Sequence, residues 1–166
     1  AGNTISTAEQ AFTLLLGLAR HLPQAHASMA AGQWDRKSFQ GTELNGKTLG
    51  ILGMGRIGGG VARRAIAFGM RGMAYDPYLS VAKARSLQVE LIDRIDDLLP
   101  HCDFLTLHLP MTDETKGILS EEKLKLCRKG VKIVNCARGG LIAESVLLKA
   151  LESGQIGGAA LDVFEE

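Results

Sequence analysis

Residues Gly53-Met54-Gly55-Arg56-Ile57-Gly58 lie between the run Lys47-Thr48-Leu49-Gly50-Ile51-Leu52 and the segment Val61-Ala62-Arg63-Arg64-Ala65-Ile66-Ala67-Phe68, so a Gly-x-Gly-x-x-Gly joins a strand to a helix. That arrangement suits a pair of linked phosphates. The first glycine lets the chain turn sharply, the second removes the side chain that would block the phosphates, and the third lets the helix pack closely on the sheet. Free N–H groups and the positive end of the helix dipole then face the anion. A glycine-rich turn can also serve packing alone. Asp76 strengthens the first reading, because it closes the next apolar run, Gly72-Met73-Ala74-Tyr75, about twenty residues beyond the glycines. A carboxylate there accepts hydrogen bonds from the ribose 2′-hydroxyl of NAD and repels the 2′-phosphate of NADP. Its alternative duty is that of a turn residue before Pro77. The two features together predict a dinucleotide site with NAD as cofactor.

Two further loops carry chemically useful residues. One is His108-Leu109-Pro110-Met111-Thr112 and the other Asn135-Cys136-Ala137-Arg138-Gly139-Gly140, each following a strand candidate. The Arg138 guanidinium can grip a carboxylate through two parallel hydrogen bonds, and the glycines beside it let backbone approach a ligand. A 2-oxo acid is such a ligand, while pairing with Asp or Glu across a turn is the structural alternative. For His108, a histidine beside a proline at a strand end, a structural role outweighs proton donation. Leu109 and Pro110 suit an apolar wall against an adenine or nicotinamide ring. Asp162 ends the last strand candidate, where it can bond a carboxamide or serve as a turn or helix cap.

These residues need a scaffold. After residue 47 strand and helix alternate, the signature of a parallel sheet covered on both faces. Strands are expected at 48–52, 72–75, 89–91, 104–107, 131–135 and 158–163, and helices at 57–68, 81–86, 92–99, 121–127 and 144–152. The expected fold is α/β: a doubly wound, Rossmann-like parallel sheet in three α/β/α layers, strand order 3-2-1-4-5-6, with ligands bound where the order reverses. An amphipathic helix precedes it. Ser6-Thr7-Ala8-Glu9 has the capping-box pattern, and Ala8, Phe12, Leu15, Leu16, Ala19 and Leu22 recur at helical spacing until Pro23. That stripe serves either its own domain or a subunit or interdomain contact. A second short helix is expected at 24–31, with Trp34 and Phe39 anchoring the connector as core aromatics. Gly59 and Gly60 cost the first helix roughly 1 kcal/mol each relative to alanine, with no compensation visible in the sequence.

The 166 residues suffice for one core that buries roughly 70% of the unfolded surface. Residues 1–45 read as N-terminal helices and connector and 46–166 as the nucleotide-binding core. A formal net charge of +1 with 22% charged residues argues against a nucleic-acid face or an acidic tail. Cys102, Cys127 and Cys136 are odd in number and widely spaced, which favours neither a disulfide framework nor a metal site and fits a reducing cytoplasm. The run Ala11–Ala19 is too short to cross a bilayer. The chain starts without methionine and stops directly after a strand-like run, which reads as a domain cut from a longer protein.

The segments Gly50–Gly58, Ala74–Pro77, His108–Thr112, Val134–Gly140 and Gly158–Phe164 together resemble the signatures of the D-isomer-specific 2-hydroxyacid dehydrogenases, over essentially the whole chain and confined to that family's nucleotide-binding domain. The stretch Phe39–Gly50 is most similar to the branch that oxidises a phosphorylated hydroxy acid in serine biosynthesis. Glyoxylate and hydroxypyruvate reductases share the nucleotide-site motifs, as do the superfamily's NAD-sensing transcriptional corepressors. The resemblance implies that Gly53, Gly55, Arg56, Ile57 and Gly58 lie along the pyrophosphate and Asp76 on the adenosine ribose. It places Leu109, beside His108 and Pro110, at the adenine, Cys136 and Ala137 near the nicotinamide, and Asp162 at the carboxamide. Arg138 matches the catalytic, substrate-orienting arginine, and Leu109 stands where the family often carries threonine. Reducing a 2-oxo acid also needs a histidine to supply the proton and a carboxylate to hold it. In the family these are a glutamate before a proline, five residues past the Asp162 position, and a later His-Leu-Gly histidine, so both fall beyond Glu166. None of His21, His26, His101 and His108 matches. The expected fragment binds NAD, lacks the substrate-binding domain and turns nothing over, and its parent is a homo-oligomer, dimer or tetramer, acting on a 2-hydroxy or 2-oxo acid without nucleic-acid or membrane partners.

Overall fold

Six short apolar runs separated by helices can be satisfied only by strands hydrogen-bonded side by side with helices on both faces, and that is the architecture found. The computed structural model describes residues 3–166. Strands β1 (Thr48–Leu52), β2 (Arg71–Tyr75), β3 (Val89–Leu91), β4 (Phe104–Leu107), β5 (Val131–Asn135) and β6 (Ile156–Leu161) form one sheet in the order β3-β2-β1-β4-β5-β6. Every pairing is parallel. β1 and β4 are neighbours but the chain leaves them in opposite directions across the sheet, which opens the crevice above their carboxyl ends. β1 is buried along its whole length, as a central strand covered on both faces must be.

Two apolar layers hold the sheet. Helices α1 (Thr4–Arg20), α3 (Arg56–Ala67) and α4 (Val81–Ser86) contribute Ala8, Leu15, Ala62, Ala65 and Ala84 to one buried cluster. Helices α5 (Ile95–Leu98), α6 (Glu121–Leu126) and α7 (Glu144–Ser153) contribute Leu98, Leu124 and Leu147 to the other. Each fully buried leucine contributes roughly 1.5–3 kcal/mol and each alanine methyl less than about 1 kcal/mol.

The N-terminal helix differs from expectation in its start and its partner. Asn3 occupies the N-cap position, and the Ser6 hydroxyl, expected to be the cap, donates instead to the Asn3 carbonyl at 3.0 Å. The apolar stripe is spent on the chain's own core: Ala8, Ala11, Phe12, Leu15 and Ala19 are buried where α1 crosses α3 and lies against β5 and β6. Phe12 meets Phe68 edge to face at 4.9 Å between ring centroids. This crossing also accounts for Gly60, since a methyl there would sit 3.0 Å from Ala8 Cβ. Gly59 is under no such pressure.

Pro23 does not end the helical region. His21 adopts a left-handed conformation with φ 55°, and Pro23 then sits in the first turn of α2 (Leu22–Ala30), where its missing N–H costs nothing. None of the α2 side chains is buried. Trp34 is 76% exposed, so the core-anchoring role expected of it fails, and Phe39 is only half-buried. The helix expected at 92–99 is shorter because the Ile92 N–H still donates to Ala74 at 2.8 Å, extending the β3 ladder. Pro100 then tightens residues 99–101 into a 3-10 turn.

Because α1 supplies core and not merely surface, Phe12→Ala is expected to cost about 3–5 kcal/mol. Urea denaturation measures it, and a loss below about 1 kcal/mol would show that the helix is an accessory to the sheet.

Candidate functional site

The glycine motif sits at the carboxyl end of β1, and each glycine meets a different demand. Gly53 has φ 96°, and a methyl on it would lie 2.6 Å from the His108 carbonyl, so the β1 turn passes directly against the β4 turn. A methyl on Gly58 would lie 2.1 Å from the Gly53 oxygen, so α3 is seated on the turn itself. A methyl on Gly55 would meet nothing within 4 Å. The middle glycine therefore leaves open space at the start of α3, which is the cradle a diphosphate requires.

That helix start has no side-chain cap and no acidic residue in its first turn. By contrast α4 and α6 are capped by Ser80 and Ser120. The positive helix end is thus left to whatever binds there. A cavity of about 470 Å³ opens beside it, lined by Gly55 and by Arg56, Arg63 and Lys83. Sequence reading missed Arg63 and Lys83 as members of this wall. They stand on two helices, and nothing in the local pattern joins them.

Asp76 is tied to the same turn. Its Oδ2 accepts from the Met54 N–H at 2.8 Å and its Oδ1 from the Tyr78 N–H at 2.9 Å. The second contact is the turn duty weighed from the sequence, and the first fastens the end of β2 to the glycine loop. A carboxylate has about four acceptor positions, so two remain for a ligand.

The β4 loop divides its residues. His108 Nε2 lies 2.8 Å from the Thr106 hydroxyl, which is buried. Burial lowers the His108 pKa to about 4 from its ordinary value of 6.5, and the ring is neutral near pH 7. Leu109 is sealed in the second core cluster with Leu107 and Leu119, which leaves Pro110 as the exposed apolar residue of the pair.

At the end of β5 the organiser is Asn135, whose sequence signal was only a polar residue closing an apolar strand. It is buried, its Oδ1 accepts from the Ala137 N–H at 3.0 Å, and its Nδ2 donates to the Arg138 carbonyl at 2.9 Å. Arg138 is exposed and its Nη1 donates to the Ala137 carbonyl at 2.6 Å. Among the described residues it joins no ion pair, so the structural alternative of a carboxylate partner is not realised. The Asp162 N–H donates to the Asn135 carbonyl at 3.0 Å, which brings the ends of β5 and β6 together. Burial, reinforced by the Asp162 carboxylate, pushes the Cys136 thiol up to about 11. That thiol is therefore protonated and a weak nucleophile. Cys102 and Cys127 are likewise free and buried.

All the residues singled out in the sequence thus occupy the carboxyl ends of β1, β2, β4, β5 and β6. A nucleotide-binding α/β domain of the doubly wound class is what this fold and crevice define. Over residues 12–166 the chain matches the D-isomer specific 2-hydroxyacid dehydrogenase, NAD binding domain, and it belongs to that family. It is 54% identical to the D-3-phosphoglycerate dehydrogenase of Rattus norvegicus and 53% identical to that of Methanocaldococcus jannaschii, in each case over 99% of this chain and 31% of the relative's length. Among solved structures, the pyruvate reductase of Chlamydomonas reinhardtii superposes with a TM-score of 0.93 at 35% identity, over 98% of this chain and 48% of that one. The D-lactate dehydrogenase of Aquifex aeolicus, complexed with NAD and lactic acid, gives 0.90 at 33% identity, over 97% and 48%.

The folded His108 takes its proton near pH 4 and an unfolded histidine near 6.5. Its contribution to stability is therefore whole above pH 6.5 and is lost as pH falls through that window towards 4. An NMR titration of the His108 ring should give an apparent pKa near 4. A value near 6.5 would contradict the half-buried, Thr106-bonded ring.

Proposed function

We propose that residues 46–166 are the NAD-binding core of a larger enzyme that oxidises 3-phosphoglycerate to 3-phosphohydroxypyruvate in serine biosynthesis, with residues 1–45 as its leading helices and connector. A second domain of that protein supplies the substrate site. The observation that carries the reading is the uncapped start of α3, with Gly55 open beside it and Asp76 fastened to the Met54 N–H. In this reading Gly53, Gly55, Arg56, Ile57 and Gly58 hold the pyrophosphate, and Asp76 takes the adenosine ribose. His108, Leu109 and Pro110 border the adenine side, Pro110 by its surface and the other two from below. Cys136 and Ala137 border the nicotinamide, Asp162 takes its carboxamide, and Arg138 orients the carboxylate of the substrate. NAD itself supplies the hydride chemistry.

The choice of substrate rests on two relatives above 50% identity that are D-3-phosphoglycerate dehydrogenases. Neither a glyoxylate or hydroxypyruvate reductase nor a corepressor module is favoured by them. No histidine of this sequence sits in a His-Leu-Gly loop and no glutamate precedes a proline, so the chain alone binds coenzyme and reduces nothing. The reading includes a reducing, cytoplasmic setting. No described helix is long and apolar enough to cross a membrane.

A homo-oligomer belongs to the same reading, on the surface around α2, which includes Leu22 from the end of the expected stripe, and not on the buried face of α1. Leu22, Met29 and Trp34 are exposed on and beside α2, a nine-residue helix with no buried side chain and too short to be stable without packing. A second copy covers it. Sedimentation should show a dimer or larger that Trp34→Ala weakens, and a monomer at high concentration would contradict this.

NAD at about 100 times its Kd should raise the melting temperature by roughly 5–10 °C, with a smaller rise from NADP. Asp76→Ala should shrink that difference. Equal shifts from both coenzymes in the unsubstituted chain would defeat the reading. Incubation with 3-phosphoglycerate and NAD should yield no NADH, and clear turnover would show that the acid and base lie within this chain.

A further inference from the structure

The segment that follows β6 is poorly supplied with the usual means of staying in place. It forms neither strand nor helix, Asp162 and Glu165 are exposed, and Phe164 is 65% exposed. Burial therefore contributes little to its position. Hydrogen bonds hold it instead, and they form a reciprocal pair. The Glu165 N–H donates to Glu144 Oε1 at 2.8 Å, and the Glu144 N–H donates to Glu165 Oε1 at 2.9 Å.

Glu144 opens α7, whose N-cap residue Ala143 has no side chain able to cap it. The Glu165 carboxylate, twenty-one residues away in sequence, does that work from outside the helix and places negative charge at its positive end. The same segment presses on the β5 loop, since a methyl on Gly139 would lie 2.1 Å from the Phe164 oxygen. Little space is left between them: the remaining void, bordered by Asn135, Gly139, Glu144 and Phe164, is about 10 Å³. Asn135 fixes the loop from the inner side through Ala137 and Arg138 and accepts from Asp162. Cys136, Ala137, Arg138 and Asp162 are thereby joined into one body whose outer fastening is the Glu144–Glu165 pair. None of these hydrogen bonds involves Gly53–Gly58 or Asp76.

We propose that this glutamate clasp sets the nicotinamide half of the coenzyme site, with Glu144 as a positioning residue that acts through Glu165 and the β5 loop. The inference rests on the NAD reading above. It separates the site into two halves held by different means, and a ligand that occupies only one half reports on them independently. ADP carries the adenosine and diphosphate but no nicotinamide.

Calorimetric titration of the chain with NAD and with ADP tests this. Glu144→Ala should weaken NAD about three- to tenfold, the net worth of one ordinary hydrogen bond at an exposed position, and change ADP less than twofold. Glu144→Gln keeps an oxygen acceptor for the Glu165 N–H and should return NAD affinity close to its starting value. Should Glu144→Ala fail to fold, Glu165→Ala removes the cap at an exposed position and should give the same split in smaller measure. Equal weakening of NAD and ADP, or no weakening of either, would overturn the clasp as a positioning device. An unsubstituted chain that binds neither ligand would overturn the coenzyme reading itself.

Discussion

The β1 turn runs so close to the β4 turn that only hydrogen fits between Gly53 and the His108 backbone, and the rest of the site follows from that contact. It fixes where β1 ends, and so where α3 begins. Gly58 then brings the helix down onto the turn, and the uncapped N–H groups point into the crevice made by the reversal of strand order. Asp76 completes the frame by holding the Met54 amide. A backbone arranged in this way needs few side chains to bind an anion, since helix end and turn supply the donors before any ligand arrives.

The two ends of the crevice are built on different principles. At the glycine loop, positions are set by backbone sterics, Gly53 against the His108 carbonyl and Gly58 against the Gly53 oxygen, with Asp76 holding the Met54 amide. At the far end the β5 loop and the segment after β6 form neither strand nor helix, and polar side chains hold them: buried Asn135 inside and the paired glutamates outside. A third element, α1, stands beneath both ends. Its crossing with α3 is close enough that a methyl at Gly60 would crowd Ala8, and it also lies against β5 and β6.

Most of the fold was readable in the residues because the strands are short apolar runs and the helices carry their own stop signals. The order of the sheet, the glycine loop and Asp76 rest on local spacing of that kind. What could not be read depends on tertiary partners. The α1 stripe looks the same whether it meets its own sheet or another subunit, and only the position of Ala8 over Gly60 decides. Trp34 reads in the sequence as a core aromatic anchoring the connector, yet it only borders a surface hollow with Ala25, Ser28 and Met29 and stays 76% exposed. Leu109 and Pro110 are adjacent residues of similar polarity, and the fold past the end of β4 buries one and exposes the other. Glu144 and Glu165 each pass for an ordinary surface carboxylate until the fold sets them backbone to side chain.

The central claim is that an open, prearranged backbone turn at the end of β1 receives the diphosphate of NAD. Amide chemical-shift mapping during titration with NAD tests it most directly, because the N–H groups of Gly55 to Gly58 are the proposed donors. Saturable shifts are expected, largest at Gly55, Arg56, Ile57 and Gly58, with a smaller set at Asp76 to Tyr78. Saturable binding that leaves these amides unmoved and shifts another part of the chain would contradict it.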